Sequence, residues 1–451
     1  MGKYFGTDGF RGKAGVQLTT DHAYKIGRYI GYYLKTSAEG KKRARVLIGK
    51  DTRLSGDMLE SAISAGIASS GADVFLLGVA PTPCVSYLTS HLNFDMGVII
   101  TASHNPYCDN GIKIISRSGE KADEDFTSLI EEYLDSADNK LPHVECAEIG
   151  RIIDYSSAIV LYTDMLKSIA KHRYDAIRVG MDAANGAAYE TALTVFRDLG
   201  AEITPIACEP NGINSNDCCG STHPELLSEI VRKYSLDLGF AFDGDADRCI
   251  CVDRQGNLVD GDGIMYILAR RLKRNGLLKN NTVVATVMSN GGLIESLNKE
   301  GISVELTSVG DRFVYEKLTE IGSSLGGEQS GHIIVKGMPV SGDGVLSAIC
   351  ILEEMLDTDK PLDRLLEGFT VYPQKSASVE VNDKDKIMSD PMLDTLKEEI
   401  KSALGENSRV IVRASGTEPV IRIMAEASSK ELCSFAINKL IHFIKKSTQN
   451  D

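Results

Sequence analysis

Thr101-Ala-Ser-His-Asn-Pro106 follows the apolar run Met96-Gly-Val-Ile-Ile100, and this stretch decides how the rest of the chain is read. An uninterrupted apolar run that stops at a turn reads as a buried strand. Ser103 then sits where a strand leaves a sheet, the position at which α/β proteins place their chemistry. His104 can handle a proton, Asn105-Pro106 makes a rigid turn, and Lys113 follows the second turn at Asn110-Gly111. A hydroxyl beside a base, a cation and a fixed loop describes a candidate nucleophile. The same six residues would also suit an ordinary Ser/His turn, so the neighbouring segments must decide.

Working outward, the strand belongs to a unit that recurs. Its first copy is a strand at Arg45–Asp51, a helix over about Met58–Ser69 and a strand at Gly71–Leu77. The second is a strand at Ile177–Asp182, a helix over about Ala187–Asp198 and a strand at Gly200–Ile206. The third is a strand at Thr282–Val287, a helix over about Leu293–Glu300 and a strand at Gly301–Leu306. In each copy a glycine suited to closing the helix leads into the next strand. Each copy continues to a further short strand with a polar loop: Gly97–Ile100 with Ser103, Leu236–Phe242 with Asp243-Gly-Asp-Ala-Asp-Arg248, and Ser324–Gly327 with Glu328-Gln-Ser-Gly-His332. Copies set side by side would turn three equivalent loops towards one cleft.

The style changes near Phe369-Thr-Val-Tyr-Pro373. Strands at about Ser376–Val381, Arg409–Val412 and Val420–Met424, with helices at about Met392–Leu404 and Lys430–Lys445, describe a small α+β module. The expected fold class is α/β: three similar α/β domains with mixed sheets and a smaller C-terminal α+β domain. The expected units are residues 1–155, 156–257, 258–369 and 370–451.

Three carboxylates at alternate positions, Asp243, Asp245 and Asp247, would share one side of an extended or tightly looped segment. So much negative charge requires a cation, and all-oxygen ligands suit Mg²⁺. A calcium loop of the EF-hand type needs Gly and Glu where Arg248 and Arg254 stand. Arg413-Ala-Ser-Gly-Thr-Glu-Pro419 joins two strands; Arg413, Ser415, the backbone at Gly416 and Thr417 make a phosphate cradle, with Arg422 behind it. Glu328, Ser330 and His332 offer the donors and acceptors that vicinal hydroxyls need. A serine near Mg²⁺, flanked by Lys113 and by Arg11 of the glycine-rich opening Gly6-Thr-Asp-Gly-Phe-Arg-Gly12, is equipped for phosphoryl transfer. A second anion cradle implies a substrate that keeps one phosphate while another part reacts. Acyl transfer would want a G-x-S-x-G elbow, and Thr101 and Asn105 occupy the glycine positions.

The formal net charge of −14 argues against nucleic acid or an anionic membrane surface as the main partner. Ten cysteines show neither paired CxxC spacing nor the density of a secreted disulfide scaffold, so they read as reduced thiols of a cytoplasmic protein. The longest stretch free of formal charge, Val74–Phe94, carries Pro81 and Pro83 and does not suit a membrane span.

Taken together, Gly6-Thr-Asp-Gly-x-Arg-Gly12, Thr101-Ala-Ser-His-Asn-Pro106, Asp109-Asn-Gly-Ile-Lys113, Asp243-Gly-Asp-Ala-Asp-Arg248, Gly327-Glu-Gln-Ser-Gly-His332 and Arg413-Ala-Ser-Gly-Thr-Glu-Pro419 resemble, in this order, the signature loops of the α-D-phosphohexomutases. Gly327–His332, Asn216-x-x-Cys219-Gly-Ser-Thr-His-Pro-Glu225 and Val309-Gly-Asp-Arg312 bring the likeness closest to the branch acting on glucosamine phosphates. The resemblance implies four domains, heart-shaped around a central cleft, and interconversion of glucosamine 6-phosphate and glucosamine 1-phosphate on the route to UDP-N-acetylglucosamine. It implies a phosphoserine at Ser103, Mg²⁺ held by that group with Asp243, Asp245 and Asp247, and a sugar bisphosphate intermediate or primer. His104 and Lys113 would handle protons, with Arg11 and Arg248 stabilising the phosphoserine charge. Glu328, Ser330, His332, Arg413, Ser415, Gly416, Thr417 and Arg422 would join Arg248 in holding substrate. A homodimer is expected on the same ground. The rival readings are a mutase of the same kind acting on glucose or mannose phosphates, and a silent phosphosugar sensor that retains the loops.

Overall fold

The structure is a computed structural model that describes residues 2–6, 8–37, 43–136, 141–337, 342–405, 408–415 and 420–449. The first sheet contains β1 (Phe5–Gly6), β2 (Gly9–Lys13), β3 (Arg45–Lys50), β4 (Asp73–Val79), β5 (Met96–Ile100), β6 (Asp109–Ser116) and β7 (Ile152–Asp154), in spatial order β1-β2-β6-β5-β3-β4-β7. The second has β8 (Arg178–Asp182), β9 (Glu202–Ile206), β10 (Leu238–Phe242), β11 (Cys249–Asp253) and β12 (Leu258–Val259), in order β12-β11-β10-β8-β9. The third has β13 (Thr282–Thr286), β14 (Ser303–Thr307), β15 (Leu325–Gly327) and β16 (Ile333–Val335), in order β14-β13-β15-β16. A last sheet of β17 (Gln374–Glu380), β18 (Arg409–Ala414) and β19 (Val420–Glu426) is antiparallel throughout, in order β17-β19-β18.

One pattern of four strands runs through the first three sheets: β4-β3-β5-β6, β9-β8-β10-β11 and β14-β13-β15-β16. In each, the first three strands are parallel and the fourth is antiparallel to its neighbour. The recurrence read from the sequence is thus a recurrence of topology. Ser103, Asp243 and Glu328 follow β5, β10 and β15, the equivalent strand of each copy, at its carboxyl end. Helices on the sheet faces force those strands to be apolar on both sides, and every residue of β5 and β10 is buried. Burial of that kind contributes roughly 1.5–3 kcal/mol for each large aliphatic side chain.

Two helices of the first unit, Thr20–Ser37 and Ser55–Ala68, approach so closely that a Cβ on Gly27 would lie 2.2 Å from the carbonyl oxygen of Ile63. Glycine at that position fixes how near the helices can come. The expected elements recur with bounds moved by a few residues. The opening glycine-rich segment differs more: Gly9–Lys13 is a strand paired with β6, because Phe10 belongs to the core. The second sheet continues to β12, two residues beyond the border expected at 257. A helix at Thr82–His91 within the uncharged stretch was not expected; Pro83 in its first turn suits a helix start. None of the ten cysteines is in a disulfide, and among the described residues no helix is long and apolar enough to cross a membrane.

Candidate active site

The chain leaves β5 at Thr101 and turns sharply. Ser103 is buried with φ +52°, a left-handed conformation that costs a side-chain-bearing residue roughly 1–2 kcal/mol. Polar contacts outweigh that cost. The Thr101 hydroxyl accepts the Ser103 amide at 2.9 Å, while Arg53 Nη2 and Asn216 Nδ2 each donate to the Ser103 carbonyl at 2.8 Å. A hydrogen bond from a charged donor contributes about 1.5–3 kcal/mol. The strained turn projects Oγ, which donates to Asp243 Oδ2 at 2.5 Å and lies 3.3 Å from His104 Nδ1.

Asp243, Asp245 and Asp247 come together through a turn, with Ala246 at φ +57°, and not along an extended segment. Their ligand oxygens lie within 4.8 Å of one another, and all three residues are buried. Burial, then Asp247 and Asp245, push the Asp243 carboxyl well above the usual carboxylate range. Asp245 is driven the other way: burial works against ionisation, but Lys113 and the Thr82 hydroxyl, which donates at 2.7 Å, overcome it. Asp245 Oδ1 and Asp247 Oδ1 are buried without a hydrogen-bond partner. Unpartnered carboxylate oxygens in a compact all-oxygen cluster fit a hard divalent cation.

Lys113 is carried to this cluster by register, since β6 places it opposite Ile99. Its Nζ lies 2.9 Å from Asp245, 3.4 Å from Asp247 and 3.3 Å from Asp8. Burial lowers the pKa of the ammonium, but Asp245, Asp8 and Asp247 more than reverse this, so the proton is held firmly. His104 behaves oppositely: Arg248, burial and Arg11 push its imidazole down to about 2, leaving it neutral. Arg11 pairs with Asp8, and Asp8 also meets Lys121 at 2.6 Å. Lys121 in turn reaches Asp311 at 2.6 Å, and Asp311 stands 3.7 Å from His332 Nε2.

Glu328 accepts the Gly310 amide at 3.0 Å, and its charge is felt by both Arg248 and Arg413. This joins the second, third and C-terminal sheets electrostatically. Arg413 and Arg422 face each other in the register of β18 and β19. Burial and the neighbouring Arg422 lower the Arg413 pKa, as expected of guanidinium groups prepared for an anion. Ser330 Oγ, His332 Nδ1, Arg248 Nε and Arg413 Nε are buried polar atoms without hydrogen-bond partners. Ser415 is buried, and Gly416 and Thr417 lie outside the described residues. Sequence reasoning brought Ser103, His104, Lys113, Arg11, the three aspartates and Arg248 to one place. It assigned no role to Arg53, Asn216, Asp8, Lys121 or Thr82. The carboxyl edge of β3, next to β5, was a signal that placed Arg53 near the site, but not one that gave its contacts.

The four domain families described as phosphoglucomutase/phosphomannomutase α/β/α domains I, II and III and C-terminal domain match residues 2–141, 160–256, 260–372 and 377–434. The chain therefore belongs to the phosphoglucomutase/phosphomannomutase family of α-D-phosphohexomutases. Among its relatives are the phosphoglucosamine mutases of Lachnospira eligens, 47% identical over 446 residues, and of Bacillus subtilis, 46% identical over 445; each alignment covers 99% of both chains. A crystal structure of a family protein from Burkholderia thailandensis has the same fold, with a TM-score of 0.80 at 24% identity over 100% of this chain and 98% of that one. An Aspergillus fumigatus N-acetylphosphoglucosamine mutase, solved with glucose 1,6-bisphosphate, matches with a TM-score of 0.67 at 17% identity over 98% of this chain and 96% of that one.

Proposed function

We propose that this protein is a phosphoglucosamine mutase that interconverts glucosamine 6-phosphate and glucosamine 1-phosphate through a phosphorylated Ser103 and a bisphosphorylated sugar, in UDP-N-acetylglucosamine synthesis in the cytoplasm. The observation that carries the reading is the 2.5 Å bond from Ser103 Oγ to Asp243, at the edge of the three-carboxylate cluster. Mg²⁺ held by Asp243, Asp245 and Asp247 would neutralise charge on the transferring phosphoryl group. The units 1–155, 156–259, 260–369 and 370–451, the second extended to take in β12, each supply one loop, and the family resemblance extends the proposal to a homodimer.

In the forward step the bond between phosphorus and Ser103 Oγ breaks as a bond forms from phosphorus to a sugar hydroxyl oxygen. The hydroxyl proton leaves the sugar and a proton ends on Ser103 Oγ; His104, whose Nδ1 lies 3.3 Å from that oxygen, is the side chain placed to carry it. Lys113 holds its proton, so its ammonium places positive charge and an N–H donor beside the leaving Ser103 oxygen. Arg11 and Arg248 add charge stabilisation. Glu328, Ser330 and His332 hold the sugar hydroxyls, and Arg413, Ser415, Gly416, Thr417 and Arg422 the phosphate that is not reacting. A single cradle and a single serine serve both ends of the sugar only if the bisphosphate turns round between half-reactions.

Coupled assays with glucosamine, glucose and mannose 6-phosphates test the substrate. Faster turnover of the glucose or mannose compound would reassign it. Ser103→Ala should abolish turnover while the protein melts as a folded chain, and substantial residual mutase activity would contradict the nucleophile. Absence of a phosphate on Ser103 in intact mass spectra after incubation with a sugar 1,6-bisphosphate would favour a silent sensor.

A further inference from the structure

Arg53 follows β3 at the edge where β5 also ends, and its side chain has no exposed surface. A guanidinium has five N–H donors, and five bonds leave this one. Nε donates to Asp51 Oδ2 at 2.7 Å; Nη2 donates to the carbonyls of Ser103 and Asn105, each at 2.8 Å; and Nη1 donates to those of Pro106 at 2.5 Å and Asp109 at 3.0 Å. The fork therefore spans the serine loop from end to end.

Asp51 completes the arrangement. Its Oδ1 accepts the Arg53 amide at 3.0 Å, and its Oδ2 accepts the Thr101 hydroxyl at 2.7 Å, which in turn accepts the Ser103 amide. Both backbone polar groups of Ser103 are thus tied, directly or through Thr101, to one buried ion pair. The Asn216 amide, from the second unit, adds a second donor to the Ser103 carbonyl and a bond of 3.1 Å to that of Asn105.

We propose that Arg53 is a positioning residue for phosphoryl transfer: it holds the loop from Ser103 to Asp109 in its strained turn, so that Oγ keeps its place against the Asp243 carboxylate. The proposal rests on the reading of Ser103 as the phosphoryl carrier. The Arg53 side chain is fully buried with all five donors engaged, so it has none to offer the sugar, and its loss acts on the chemical step and not on binding. A lysine cannot replace it, because one ammonium lacks the planar fork needed to reach four carbonyls and a carboxylate.

The test uses full-length Arg53→Lys, Arg53→Ala and Asn216→Ala, saturated with Mg²⁺. The readouts are melting temperature, kcat, KM and phosphate on Ser103 by intact mass after incubation with glucose 1,6-bisphosphate. Displacing a reacting atom by about 1 Å costs roughly 100-fold in rate. Arg53→Lys is therefore expected to lose about that factor in kcat with KM held within roughly threefold. Guanidinium ion at millimolar concentration is expected to restore part of the kcat of Arg53→Ala, and Asn216→Ala to show a smaller loss, also in kcat. If Arg53→Ala fails to fold, the other two variants carry the test. Parental kcat in folded Arg53→Lys overturns the proposal, as does a rise in KM at unchanged kcat. Turnover persisting in Ser103→Ala overturns the underlying reading; loss of turnover there, beside an unaffected Arg53→Lys, overturns this proposal alone.

Discussion

Gly244→Ala tests whether the serine and metal loops fit as tightly as their bonds imply. A Cβ on Gly244 would lie 2.5 Å from the Ser103 carbonyl oxygen, 3.0 Å from Asn216 Nδ2 and 3.2 Å from Ser215 Oγ. Ordinary contact begins near 3.4 Å, so the loops must separate by about 0.9 Å. The Ser103 carbonyl cannot yield without stretching bonds from Arg53 and Asn216 that are each 2.8 Å long. The metal loop cannot retreat freely either, since the Gly244 carbonyl accepts the Ala187 amide at 2.8 Å. Overpacking of this kind costs about 1–3 kcal/mol of stability. A misalignment near 1 Å between reacting groups costs roughly 100-fold in rate, which corresponds to about 2.7 kcal/mol of activation free energy. A coupled mutase assay with saturating Mg²⁺, run beside thermal denaturation, reads both quantities. Gly15→Ala is the control: it has φ +78° with nothing within 4 Å of its Cβ, so it should lose some stability and no kcat. Parental kcat and melting temperature in Gly244→Ala would refute the claim that contact between the loops sets the position of Oγ.

Removing divalent cations with a chelator should stop turnover without unfolding the chain, and adding Mg²⁺ should restore it; turnover surviving exhaustive chelation would count against a metal at the aspartates. Because burial, Asp247 and Asp245 hold the Asp243 carboxyl well above its usual range, a proton competes with the cation there. Calorimetric Mg²⁺ affinity should therefore rise with pH, and a fall would contradict the assignment. Asp343 gives a prediction on stability: burial raises its carboxyl from 3.8 to about 6, although the Leu346 amide and Tyr162 hydroxyl donate to it. A folded-state pKa above the unfolded one favours folding fully below about 3.8, and this contribution is lost as pH rises through about 6. Asp343→Asn retains an acceptor for Leu346 and offers Tyr162 a donor. It should stabilise the fold at pH 8 by an amount on the order of 1–3 kcal/mol but not at pH 4, read as a rise in melting temperature at pH 8 alone, and equal melting shifts at both pH values would refute the cause.

The parts of this molecule that were legible in the sequence are those whose signal is local. Strands β5 and β10 are apolar throughout because helices cover both faces, and the helix of each repeat ends in a glycine that the chain needs: Gly71, Gly200 and Gly301 all have positive φ. Ser103, the aspartate trio and the Glu328 loop could be placed because each follows an equivalent strand. Pairing over long separations left no such mark. Nothing local to Arg53 says that four carbonyls 50 to 56 residues away will surround it, and Lys121 looks like a turn cation until Asp8 and Asp311 meet on it. The glycines of Gly6–Gly12 suggest a ligand loop, yet Phe10 enters the core and makes Gly9–Lys13 an inner strand.

The side chains between the metal trio and the sugar loop form one alternating series of charges, Asp245 and Asp247, then Lys113, Asp8, Lys121 and Asp311, which ends 3.7 Å from the His332 ring. The series begins in the second unit, passes through the first and ends in the third. Each cation lies between carboxylates contributed by different segments, so moving any one loop leaves a buried or half-buried charge uncompensated, which is costly. That ties the loops carrying the serine, the cation site and the sugar contacts to one another. The C-terminal sheet is attached differently, by Arg409 to the carbonyls of Ser289 and Val287, by Glu426 to the Gly291 amide and by Asn290 to the Tyr372 carbonyl. These anchors all lie in the loop and helix start that follow β13, at one side of the sheet that they join. A bisphosphate that must turn round needs its reacting end held and its other phosphate released and recaptured. The interlocked charges suit the first requirement, and a cradle on a sheet anchored at one side suits the second.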